Sequence, residues 1–324
     1  MRIVAALILS LIAYIVLFFV IIKQPLTTGL TNAYYVKKIG YARSIKGPKI
    51  VLFAGSNGLF SHRCETIEKV SGIPCVNASL HAGLAIDVAL QSLKNFVRSG
   101  DTVLMPLEYD QYAQSDRNMV RNVATNTYLV SYHPGWLLRL SPERIVFAMF
   151  SFDIRYLLSA TTETLLSSLG VERRYTIDTL TANGDMKGHT AEKGLEYREY
   201  ISGLPSPLPD EHYFTQNTFD GEREIGKFLR WAKGNDVAVI GLLPTVFDDV
   251  PVPQAIIDKL RLLFENEGQY FLSMPGNSQY ARSHFYDTHY HLNEETQIEH
   301  SRTIAERLMP LMRSLHRHPE SLQK

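Results

Sequence analysis

Charge of either sign in excess, cysteine and internal repetition are what this sequence has least of. Its 324 residues carry 33 basic and 33 acidic side chains, a formal charge of zero. Without a cationic excess there is nothing to neutralise a phosphate backbone, which argues against nucleic-acid binding. No repeat or low-complexity tract is present, which excludes a repeat array. His81, His284 and His300 have no cysteine or aspartate at metal-ligand spacing, so neither a metal nor another cofactor is expected. Only Cys64 and Cys75 are available for a disulfide. The ETIEKVSGIP between them reads as a helix end, a turn at Gly72 and a return to a strand. That path can bring the thiols within bonding distance, and two buried free thiols are the other reading.

One long hydrophobic run is present. Ile3 to Ile22 is interrupted only by Ser10 and Tyr14 and is flanked by Arg2 and Lys23. At about 1.5 Å per residue, roughly 20 residues cross a hydrocarbon core of about 30 Å. No small-x-small cleavage site follows. Residues 1–24 are therefore expected to be an uncleaved transmembrane signal-anchor and 25–48 a linker. Lys37, Lys38, Arg43, Lys46 and Lys49 lean, by the positive-inside rule, towards a cytoplasmic body. A disulfide would place the body in an oxidising compartment instead.

Beyond the linker, apolar runs without alternation are separated by amphipathic segments. Strands are expected at 49–54, 74–78, 101–107, 236–243 and 269–274. Helices are expected at 61–70, 85–97, 221–233, 253–266 and 294–315. This is the pattern of an α/β fold, a three-layer parallel sheet covered on both faces. Residues from about 111 to 220 break the alternation and read as a helical and irregular insertion, either a lid or a structural elaboration, within a domain spanning 49–318.

Ligands of such sheets sit beyond the strands' C-terminal ends. There this chain carries Gly55-Ser56-Asn57, then NASLHAG (77–83), then Glu108-Tyr109-Asp110. A fourth block, FYDTHYHLN (285–293), precedes the last helix at the same rim. Serine, histidine and aspartate can converge there, with the N–H groups of Ser56 and Gly83 facing a developing oxyanion. The turn AGSNGLF lacks the third glycine of a dinucleotide loop.

In this order, AGSNGLF, NASLHAG, LEYDQY and FYDTHYHLN resemble the SGNH (GDSL-like) hydrolase superfamily. They are most similar to its membrane-anchored bacterial branch, which includes proteins that acetylate alginate or transfer D-alanine in cell envelopes. The resemblance covers about 49–112 and 236–312. It implies Ser56 as nucleophile, Gly83 as an oxyanion-hole glycine, Asp287 as the orienting carboxylate and His291 as the base, with His289 the alternative base of an Asp-x-His variant. Where the superfamily places an oxyanion-binding asparagine, this chain has Glu108. Asn57 or Asn77 is the candidate substitute donor, and Asn77 and Glu108 are candidate substrate contacts. A missing donor costs about 3 kcal/mol of transition-state stabilisation, which favours slow group transfer over fast hydrolysis.

The activity implied is that of an extracytoplasmic serine esterase or O-acyltransferase acting on a cell-surface polysaccharide. It would be held in the cytoplasmic membrane by the N-terminal helix, with a cell-envelope glycan, an acyl donor and a membrane acyltransferase as partners. A catalytically inactive glycan-binding or assembly component is the rival expectation.

Overall fold

The computed structural model describes residues 2–21, 26–81, 83–150, 158, 161–162, 165–166, 168–170 and 175–317. Chain contacts divide it into two units, one made of Met1–Tyr34 with Arg117–Ile177, the other of Tyr35–Asp116 with Asp178–Lys324.

The second unit holds a five-stranded sheet. Its strands are β1 (Ile50–Leu52), β2 (Cys75–Asn77), β3 (Thr102–Met105), β4 (Ala238–Gly241) and β6 (Tyr270–Phe271), in the order β2-β1-β3-β4-β6 and all parallel. Ile50 stands opposite Cys75 on one side and Thr102 on the other. Every residue of β1, β2 and β3 is buried, because helices cover both faces, and this is why their sequences do not alternate. A separate pair, β5 (Val246–Phe247) and β7 (Gln279–Tyr280), is also parallel. Ile50, Leu52, Ile67, Leu104, Ile240 and Leu308 form the core under the terminal helix Glu294–Arg317, which lies against the helix Cys64–Ser71. Cys64 and Cys75 are joined in a disulfide with Cα atoms 5.1 Å apart, tying that helix to β2.

Three expectations are refined. The first concerns 61–70, whose helix is present but begins later, at Cys64. A short helix, Ser56–Phe60, begins right after β1, and a second, Cys64–Ser71, follows a break. The break is set from a distance: the Asp185 carboxylate accepts Cys64 N–H at 2.9 Å and Glu65 N–H at 3.0 Å, capping the second helix where no local side chain does. The second concerns the linker at 25–48, which contains the helix Leu26–Ser44. From Tyr35 onward that helix belongs to the sheet unit, with Tyr35, Ile39 and Ala42 buried and Lys38 Nζ donating to Ser79 O at 2.6 Å. Burial pushes the Lys38 amine down to about 7.

The third is the insertion, whose two parts differ in placement. Residues 178–220 belong to the sheet unit, whereas 117–177 cluster with the N-terminal segment. In that first unit lie the helix Arg2–Ile21 and the helices Val123–Tyr132, Pro134–Leu137 and Pro142–Phe150, with Arg144 buried against Asn126. The transmembrane expectation at 3–22 has no support in the fold. Among the described residues no helix is long and apolar enough to cross a membrane, and the expected span runs on into side chains, from 17, outside the described set.

Candidate active site

Why Ala54-Gly55-Ser56-Asn57-Gly58 turns where it does follows from the acceptors around it. β1 gives up its ladder after Phe53, whose N–H still reaches Leu104 O at 2.8 Å; the next N–H, of Ala54, goes to Ser79 Oγ at 3.0 Å. The following N–H groups turn to a carboxylate. Glu108, only 2% exposed, accepts Gly55 N–H on Oε2 at 2.9 Å and Asn57 N–H on Oε1 at 2.8 Å. Burial raises the Glu108 carboxyl above the usual range, against the pull of those N–H bonds. Glu108 is held in turn by its own capping box with Gln111. Gly58 is required by close approach, since a Cβ there would lie 2.0 Å from Ser79 Oγ.

Ser56 stands between the two clamped amides, at the first turn of its helix. Its hydroxyl and its N–H make no hydrogen bond among the described residues.

On the other side of the site, Asp287 Oδ1 lies 2.6 Å from His291 Nδ1, and both residues are at least nine-tenths buried. The carboxylate selects the tautomer with the proton on Nδ1, leaving the Nε2 lone pair able to accept a proton. Nε2 is buried and has no partner in the described structure. The imidazole stacks on Phe60, ring centres 4.0 Å apart and planes 14° from parallel. Phe60 follows Ser56 by one helical turn and so shares its face. The serine's helix and the Asp–His pair are thereby brought to one place.

A buried hydroxyl network fixes this meeting. Ser61 Oγ donates to Tyr290 O at 2.6 Å and accepts Leu292 N–H at 3.0 Å, gripping the backbone on both sides of His291. Thr245 Oγ1 lies 2.8 Å from Ser61 Oγ and donates to Asn57 Oδ1 at 2.7 Å. The loop itself is closed by a bridge between Phe285 and Leu292 and by Tyr286 N–H donating to His291 O at 2.7 Å. Ser61, Thr245, Phe60 and Asp185 were not singled out from sequence. A serine and a threonine at the ends of apolar runs were the available signal, and it is a weak one.

The other expected site residues are placed differently. His289 does not meet Asp287; its ring stands edge-on to Phe247 and Tyr290, Nδ1 is buried without a partner, and desolvation, then the charge of His291, lowers its pKa. Asn57 is fully buried, with Nδ2 donating to Pro106 O at 2.8 Å and Oδ1 held by Thr245, so its amide is not an oxyanion donor. Asn77 donates to Gly58 O at 2.7 Å and to Asp185 Oδ1 at 3.0 Å and accepts Ser79 N–H at 3.1 Å, which makes it a support under the turn rather than a substrate contact. Gly83 N–H is engaged by His81 Nδ1 at 2.9 Å. Glu108, buried and doubly occupied, braces the turn and does not reach a substrate. Of the donors expected to face an oxyanion, Ser56 N–H alone is uncommitted among the described residues. Among the same residues no group of three His, Cys, Asp or Glu side chains is arranged to hold a metal ion.

Buried histidines around the site make an acid-lability prediction. His62 and His189 are pushed by desolvation from 6.5 to about 4, and His300, edge-on to His62 at 5.0 Å, well below its ordinary value. Between 6.5 and about 4 the unfolded chain binds more protons at these sites than the folded one, so stability falls as pH falls through that window. Melting temperature followed from neutral pH to about 4 should drop steeply, and His62→Gln should flatten the profile.

Set beside protein-family models the sequence finds no match, and none of the curated proteins compared with it matches either.

Proposed function

We propose that the protein is a membrane-anchored, extracytoplasmic serine esterase or O-acyltransferase of SGNH type, acting on acyl esters of a cell-surface polysaccharide. The observation that carries this reading is the Asp287–His291 pair stacked on Phe60, one turn from Ser56, with His291 Nε2 unoccupied.

In this reading Ser56 Oγ attacks the acyl carbonyl and His291 Nε2 takes its proton. Asp287 stabilises the imidazolium, and Ser56 N–H receives the oxyanion. His291 then returns the proton to the departing alcohol, leaving an acyl-Ser56 ester. Water as the second nucleophile makes the reaction hydrolysis; a sugar hydroxyl makes it transfer. The resemblance to the cell-envelope acetylating branch favours transfer, and each missing oxyanion donor slows the attack by about a hundredfold or more whichever acceptor follows. A membrane acyltransferase is the partner that would supply the acyl donor.

The exposed apolar side chains between Ile3 and Val16 support anchoring in the cytoplasmic membrane, and the Cys64–Cys75 disulfide supports a periplasmic or other oxidising location. The rival reading, an inactive glycan-binding or assembly component, draws on Glu108, which takes two backbone donors that a hydrolase could use.

A fluorophosphonate probe separates the two. Wild-type protein should be labelled and Ser56→Ala should not; absence of labelling together with no turnover of p-nitrophenyl acetate by pure protein would leave only the binding reading.

A further inference from the structure

The unit formed by 1–34 and 117–177 exposes apolar surface for which the esterase chemistry has no use. Along Arg2–Ile21 the side chains of Ile3, Leu7, Ile8, Leu11, Ile15 and Val16 are exposed. A second exposed patch lies on the insertion. Val146 and Met149, three residues apart on the helix Pro142–Phe150, share one outward face, and Leu138 just before that helix is 81% exposed. The opposite face carries Arg144, buried against Asn126 Oδ1 at 3.4 Å. On this helix one charge, Arg144, therefore points in while Val146 and Met149 point out.

The two patches are connected. Tyr14 OH donates to Met149 O at 2.8 Å, which sets the C-terminal end of the insertion helix beside the apolar run, about 10 Å along the axis from Ile21. Tyr14 lies inside the run, so the medium around the run also surrounds Met149.

Charge and aromatic content indicate what that medium is. From 117 to 150 the chain has four arginines, Arg117, Arg121, Arg139 and Arg144, against one acidic residue, Glu143. Arg117, Arg121 and Arg139 are exposed, and Arg121 lies over the Phe147 ring at 4.6 Å, its stem along apolar surface. Trp136 stacks on His133 at 4.0 Å beside the patch. Outward aliphatics rimmed by arginines and an indole are what the headgroup–acyl boundary of an anionic bilayer accepts. A second copy of the same surface would bring like charges together.

We propose that residues 134–150 form a membrane-docking surface, lying in one leaflet of an anionic bilayer beside the N-terminal helix. The proposal rests on the reading of Arg2–Ile21 as the anchor and is independent of the chemistry at Ser56.

The test uses the full-length chain reconstituted in vesicles of equal phosphatidylcholine and phosphatidylglycerol. Both native cysteines are in the disulfide, so an introduced cysteine is the unique thiol. Nitroxides are attached to Ile8→Cys, Leu138→Cys, Val146→Cys and, as an aqueous control on the sheet unit, Lys227→Cys. The probes at 8, 138 and 146 should collide several times more with lipid-dissolved oxygen than with a water-soluble nickel complex, and the probe at 227 should show the reverse. A lipid-dissolved carbene photolabel on wild-type protein should modify the 134–150 peptide, which guards against effects of the substitutions. If 138 and 146 behave like 227 while 8 stays in lipid, the docking surface is wrong and the anchor stands. If 8 also reports water, both fall. Shielding of 138 and 146 from both quenchers would mean that protein, not lipid, covers the patch, and would overturn the proposal.

Discussion

His291→Ala should lower ester turnover by about four orders of magnitude, and Asp287→Asn should do nearly as much damage. The two losses have different causes. The first removes the proton acceptor. The second leaves an imidazole whose Nδ1 faces an amide; that amide can present its NH2 group and so favour the tautomer with the proton on Nε2, where the base has to be empty. Asp287→Asn keeps the side-chain volume, so its melting temperature should remain close to that of wild type while kcat falls. His289→Ala is the discriminating control. Its ring rests on Phe247 and Tyr290 and makes no bond to Asp287, so turnover should stay within a few-fold of wild type. Turnover of p-nitrophenyl acetate by purified variants decides the matter: loss in His289→Ala with survival of His291→Ala would reverse the assignment of the base.

Glu108→Ala should be the most destabilising single change near the site. Its two carboxylate oxygens satisfy Gly55 N–H and Asn57 N–H, both buried. Leaving each donor without a partner costs about 1–3 kcal/mol, and with the void the total comes to about 3–5 kcal/mol. Glu108→Gln offers one acceptor oxygen but aims its NH2 group at the other amide, so about 2 kcal/mol should be lost. Urea unfolding of the two variants measures both. If Glu108→Ala unfolded with the wild-type midpoint, the carboxylate would have no bracing role, and the turn around Ser56 would need another explanation.

How much of this was legible in the sequence depended on whether the determining partner was near or far. β1, β2 and β3 were readable because strands buried on both faces must be continuous apolar runs, and KIVLFA, PCVNA and DTVLMPL are that. The pairing of Asp287 with His291 was implied by the resemblance, although His289 could not be set aside without seeing its ring on Phe247. The helix expected at 61–70 is found three residues later, at Cys64–Ser71, because its N-terminus is capped by Asp185, 121 residues from Cys64. Asn57 and Asn77 were candidate oxyanion donors because Glu108 stands where the resemblance places an asparagine. Their hydrogen-bonding capacity is instead consumed by Pro106, Thr245, Gly58, Asp185 and Ser79, and no local pattern announces those partners. Residues 26–44 fall within the expected linker, yet Lys38 is fully buried with its amine on Ser79 O.

The grip of Ser61 on Tyr290 spans 229 positions of the chain. Closing so large a loop is entropically unfavourable until most of the intervening structure exists, so this contact is expected late in folding. Ser79, Pro106 and Glu108 meet the serine turn from within the first 108 residues, yet His291 arrives only when the C-terminal segment docks. Under the proposed function, a growing polypeptide, or one truncated before residue 291, would therefore present Ser56 without the imidazole that activates it. Reactivity at Ser56 would then report not on local structure at the turn but on completion of the whole domain, and in a maturing chain it would switch on last.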